Sequence, residues 1–192
     1  MQEASQQMMT LCDDNPAMVT RMLIFLYADD YPTTVNGNDT LHKKLGGIFS
    51  SFYNATEDDE ILSVHAAMYG MGEKYDIASL KDASRAKYVQ ALKGTISVDD
   101  FTNSIKIAYA TTPAEDDGLR KWAVYRAQEY VAMYAREPAF EALIRSNPDF
   151  AFDFGSRYAR RDAAGVVAEC TVKMKATDDW RQRFAVVAQQ DG

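Results

Sequence analysis

Residues 13–31, DDNPAMVTRMLIFLYADDY, hold the start, the body and the end of one helix in a single stretch. Asn15 is a good N-cap, because its side-chain oxygen accepts a hydrogen bond from an otherwise unpaired N–H of the first turn. Pro16 suits the first helical position, where its missing N–H is not needed and its fixed φ is already helical. Val19, Met22, Leu23, Leu26 and Tyr27 recur at helical spacing and are expected to line one buried face. The helix is expected to stop near Ala28, since Pro32 pushes the residue before it out of the α region.

Working outward, Met8 to Cys12 is a short apolar run that reads equally as strand or helix. Thr33 to Thr56 contains Asn36-Gly37 and a Lys43 to Phe49 stretch without a clean period; it is read as loop with room for one short strand. Asp58 or Asp59 is expected to cap a second helix carrying Ile61, Leu62, His65, Met68 and Tyr69 toward Tyr75. Asp76 to Ser79 breaks the period, with Asp76 expected to cap a third helix bearing Leu80, Ala83, Lys87, Tyr88 and Leu92. Ser97 with Asp100 three positions on has the pattern of a capping box and opens a fourth helix with Phe101, Ile105, Ala108 and Tyr109. After Thr111-Thr112-Pro113 and the acidic Glu115-Asp116-Asp117, one long fifth helix is expected along Leu119, Ala123, Ala127, Val131 and Tyr134. Pro138 and Pro148 each open a further helix, and Val166 to Met174 has β-type character before a short helix over Asp178 to Val187.

The composition narrows the class. The 192 residues carry 28 acidic and 21 basic side chains, for a net charge of -7, and 47% are hydrophobic. That apolar share is enough for a buried core and too high for an extended acidic tail. An acidic total argues against a surface built to neutralise a phosphate backbone. Cys12 and Cys170 stand far apart, which supports neither a disulfide framework nor a paired-cysteine zinc site. The polar first residues lack a signal-peptide pattern, and no apolar run approaches the ~20 residues of a membrane span. The expectation is an intracellular protein, cytoplasmic or nuclear, with no membrane association.

Two passages together resemble a BTB/POZ domain. Asp13 to Pro16, followed by Met22 to Tyr31, is similar to that family's acidic-Asp-Pro turn and its helix ending in an apolar-Tyr-x-x-acidic-Tyr pattern. Tyr69 to Leu80, with Ala83 and Lys87-Tyr88, resembles the Tyr-x-Leu-Ala-Asp-Lys-Tyr segment of a helix pair near that domain's end. Tyr109, Thr111-Thr112-Pro113 and Asp117 to Arg120 resemble the helical extension of filamentous-fungal relatives. The implied fold class is α+β and predominantly helical: the C-terminal half of a BTB/POZ-like domain over residues 1–93, a helical extension over 94–161 and a tail over 162–192. The strand pair, long helix and third strand of the domain's first half have no counterpart, so the chain is expected to begin in mid-domain. Gly70 and Gly72 replace better helix formers, at ~1 kcal/mol each in a helix interior. Paired tail cysteines of some relatives are also missing, and zinc is rejected.

The resemblance implies a non-enzymatic protein-interaction module of the adaptor or scaffold kind, with a cullin-type ubiquitin-ligase scaffold or another BTB chain as partner. The surface it implies is Tyr27, Asp29, Asp30 and Tyr31. The competing account of Tyr27 is that it continues the buried stripe of Val19 and Leu23. Two rival readings of the whole chain are a truncated or degenerate paralogue without binding activity, and a small helical nucleic-acid-associated protein. Arg157, Tyr158, Arg160 and Arg161 would carry the latter, although a solvated helix end explains them too.

No cofactor, metal or catalytic residue is expected. The acidic clusters at 58–60 and 115–117 stand where helices begin and are read as caps. His42 lies in a Lys-flanked loop and His65 on an apolar helix face, without a triad partner in sequence. Gly70-x-Gly72 lacks the third glycine of a dinucleotide fingerprint.

Overall fold

The computed structural model describes residues 13–33, 60–116 and 118–169. Among these, eight helices and no strand are found, so the helical class holds while the expected strands have no described counterpart. Met8 to Cys12, nearly all of the Thr33 to Thr56 loop, and Asp178 to Val187 lie outside the described residues.

Helix α1, Pro16–Ala28, begins as its sequence requires: the Asn15 side chain accepts from Ala17 N at 2.9 Å. It ends on Asp29, whose φ of 54° turns the chain out of the helix while its N–H still bonds Phe25 O at 2.8 Å. The buried face is only in part the expected one, since Val19 packs against the core and Met22 lies in it. Met22 and Phe25 go inside with Arg21 and Ile24, whereas Leu23, Leu26 and Tyr27 face solvent. Apolar residues surround most of α1, so periodicity alone did not single out the inward side.

Helix α2, Ile61–Lys74, is the centre of the unit and packs against α1, α3 (Ala78–Ala91) and α4 (Val98–Thr111). Its first turn is not closed by a neighbour in sequence. Asp100, from α4, accepts from Leu62 N, Ser63 N and Ser63 Oγ at 2.8–2.9 Å. Ser97 caps α4, receiving Asp100 N at 3.0 Å, but the other half of the expected capping box is not formed, because the Asp100 carboxylate serves α2 instead of the Ser97 N–H. Asp58 and Asp59 lie outside the described residues.

At the other end of α2, Asp76 does not cap α3, whose start has no side-chain cap. It takes the left-handed conformation, φ 54°, of a Schellman turn in which Ile77 N reaches Gly72 O at 2.8 Å and Asp76 N reaches Glu73 O at 3.3 Å. The two glycines of α2 are explained by close approach. A Cβ at Gly70 would stand 2.5 Å from Thr111 Oγ1, and one at Gly72 would stand 2.9 Å from the backbone N of Lys81. Helix propensity is given up here so that α3 and α4 can come close to α2.

The expected long fifth helix divides at Tyr130 into α5, Arg120–Glu129, and α6, Val131–Tyr134. Tyr130 leaves the helical region at φ -113°, ψ 26°, and past this break Tyr134 stacks between Phe101 and Phe140 at centroid distances of 4.8 and 5.6 Å. Phe150 closes this aromatic cluster against Phe140 and Tyr109. Pro138 and Pro148 open α7, Pro138–Ser146, and α8, Pro148–Glu169, as expected.

By packing, the chain divides into a unit of residues 1–151 and one of 152–192. The β-type reading of Val166 to Met174 is corrected in its described part, since residues 166–169 are helical. Two valines are outweighed by the Ala-, Arg- and Glu-rich turns around them.

Candidate interaction surface

The segment following α1 is tied down from three sides. The Tyr31 hydroxyl is hydrogen-bonded to His65 Nδ1 on α2 at 2.8 Å. Lys87 on α3 donates to Tyr31 O at 2.8 Å, lies 4.3 Å from the centre of the Tyr31 ring, and forms an ion pair with Asp30. Buried Arg21 of α1 donates from Nε to Pro32 O, beyond the helix end, at 3.1 Å. Burial, helped by the cations Lys87 and Arg21, holds the His65 pKa down at about 4, and burial raises the Tyr31 phenol well above its ordinary value. His65 is thus a neutral, hydrogen-bonded core residue.

The four residues expected to form a partner surface therefore separate. Tyr27, 80% exposed, and Asp29 lie at the surface. Asp30 is half-buried in its ion pair with Lys87, and Tyr31, only 1% exposed, belongs to the core with Met22, Phe25, Val64, Met68, Met71 and Leu80. Tyr27 does not continue a buried stripe. It extends an outward row with Leu23, 40% exposed, and Leu26, 54% exposed.

Lys74 and Tyr75 tether α2 to the turn before α1: Lys74 Nζ and the Tyr75 hydroxyl both donate to Asp14, at 2.8 and 2.6 Å. Those bonds lower the Asp14 pKa. Asp116 does not cap α5, whose start has no side-chain cap. It accepts from the Tyr69 hydroxyl at 2.8 Å, Lys81 Nζ at 2.7 Å and Gly118 N at 2.8 Å, and its pKa is lowered by Lys81, Gly118 and Tyr69 against the opposing effect of burial. Lys81 also pairs with Glu73, and these bonds hold it protonated above the ordinary lysine range against burial. This network lines a cleft of about 550 Å³.

A second concavity, of about 300 Å³, lies between the C-terminal end of α3 and α5 and is lined by Val89, Leu92, Trp122, Tyr125 and Tyr130 among others. Its only signal in the sequence is that Trp122 and Tyr125 fall off the apolar stripe of Leu119, Ala123 and Ala127. Among the described residues, no group of three or more His, Cys, Asp or Glu gathers in a way that could hold a metal ion. No described helix is long and apolar enough to cross a membrane. His42, Arg160 and Arg161 have no described side chains, and Arg157 is exposed.

Compared with models of known families, with curated proteins and with solved structures, the chain matches none of them.

Proposed function

We propose that this chain is a non-enzymatic protein-interaction module resembling BTB/POZ adaptors or scaffolds, and that the outer face of α1 is its contact surface. One observation carries the reading: Leu23, Leu26 and Tyr27 form a row of large apolar side chains on the solvent side of a helix whose opposite side is fully committed to the core. Exposed apolar rows of this kind on a polar-rimmed surface mark contact sites. Asp29, at the end of the row, supplies a charged rim. The Lys87 and Arg21 bonds to the following segment support the same reading, because they hold the end of α1 in place, and a rigid element presents a surface with less ordering entropy to lose on binding. A cullin-type scaffold is the partner class implied by the resemblance of residues 13–31.

The test is affinity capture with the full chain, comparing wild type with Tyr27→Ala. Loss of a stoichiometric partner with unchanged far-UV circular dichroism is expected. A stable chain that captures the same partners with and without Tyr27 would end this assignment of the surface.

A further inference from the structure

Among the described residues of the 1–151 unit, two apolar patches face solvent, and their rims differ in charge. The outer face of α1 places Leu23, Leu26 and Tyr27 at i, i+3 and i+4, the anchor spacing by which an amphipathic helix enters a groove. Its end carries exposed Asp29, and its one basic residue, Arg21, is buried. The groove between α3 and α5 is the counterpart. Trp122 and Tyr125 meet edge to face at 6.4 Å and are both partly exposed, Tyr125 at 56%. Lys93 and Arg126 stand among the lining residues with a single acid, Glu129, which Arg126 approaches at 3.7 Å. The ammonium of Lys93 meets only the neutral Gln90 Oε1, at 3.2 Å, among the described residues. Arg126 also lies 3.6 Å from the centre of the Tyr130 ring, so the groove combines the Trp, Tyr and Arg side chains that dominate binding energy at interfaces.

We propose that this groove takes the outer face of α1 from a second copy of the chain, with Leu26 and Tyr27 against Trp122 and Tyr125 and with Asp29 toward Lys93 and Arg126. The proposal rests on the reading of α1 as a contact surface and names its partner. Asp29 finds in Lys93 a cation that no acid of the groove neutralises, since Arg126 is already met by Glu129; α1 against α1 would instead face Asp29 with Asp29, and groove against groove would give neither Lys93 nor Asp29 an opposite charge. The two surfaces are different, so each copy offers one of each.

That difference gives the test. Leu26→Glu spoils the helix face and keeps the groove; Tyr125→Glu spoils the groove and keeps the helix face. By sedimentation velocity at about 100 µM, weak association being expected for such a surface, wild type should sediment faster than a monomer. Each variant should sediment as a monomer with wild-type helicity, and their equimolar mixture should restore a one-to-one complex. Lys93→Glu should weaken the wild-type association about tenfold, and added salt should weaken it as well. If either variant loses helicity, Tyr27→Ser and Trp122→Ser replace them. A monomeric wild type, a mixture that stays monomeric, or a Tyr125→Glu chain that associates like wild type overturns the proposal. A monomeric wild type whose captured partner is still lost on Tyr27→Ala would overturn this pairing while leaving the contact role of α1 standing.

Discussion

The Tyr31 hydroxyl and His65 Nδ1 lie 2.8 Å apart inside the α1–α2 core, with their rings edge to face at 5.7 Å. With the Lys87 and Arg21 bonds to the same segment, this contact fixes where the chain goes after α1, and it makes an imidazole part of the fold. Burial keeps His65 neutral, with a pKa near 4 against an ordinary 6.5. The unfolded chain therefore takes up a proton that the folded chain refuses.

Stability is accordingly expected to fall as pH drops from about 6.5 to about 4, where the gap corresponds to roughly 3 kcal/mol. Urea midpoints measured at intervals between pH 7 and 4 read this directly, and His65→Gln should flatten the slope in that window. Asp14 and Asp116, whose carboxyls titrate below their ordinary 3.8 in the fold, act in a lower range. Their contribution is present above about pH 4 and is lost as pH falls further.

Tyr27 and Tyr31, four positions apart, should respond oppositely to truncation. Tyr27→Ala is expected to change stability by less than ~0.5 kcal/mol, as for other exposed positions. Tyr31→Ala should cost about 3–5 kcal/mol, through lost burial and an unpartnered His65. Equal losses in thermal or urea unfolding would mean that α1 is rotated from the arrangement described.

Asp100 carries the first turn of α2 across a separation of almost forty residues. Its replacement by Ala should cost ~2–4 kcal/mol, because two backbone N–H groups and the Ser63 hydroxyl lose a charged acceptor at a buried site. Asn keeps one acceptor oxygen and should cost about half as much in denaturant unfolding.

Gly72→Ala should destabilise by ~1–3 kcal/mol even though Ala is the better helix former by about 1 kcal/mol. The new Cβ would meet the Lys81 backbone N and Ile77 O, which have no rotamer to escape into. A gain in melting temperature on this substitution would show that α2 and α3 are not so closely apposed.

Helix ends were the most legible part of this chain. Asn15 and Pro16, Ser97, Pro138 and Pro148 act on backbone groups within a turn of themselves, so their effects are contained in the local sequence. The buried rows of α4 were legible for a related reason, since Phe101, Ile105, Ala108 and Tyr109 are its dominant apolar set. The break at Tyr130 was not legible, because Arg120 to Tyr134 keeps helical spacing on both sides of it.

By itself, then, the amino-acid sequence determined a helical chain, the starts of several of its helices and much of its core. Tertiary structure alone decided that Leu23, Leu26 and Tyr27 point out while Tyr31 turns in, that Asp100 serves a helix other than its own, and that Gly70 and Gly72 are contact points. The physical reason is the same in each case. Caps and periods are local properties of the backbone, whereas the inward side of a helix that is apolar nearly all round, the partner of a carboxylate and the room beside a glycine depend on what distant segments bring against them.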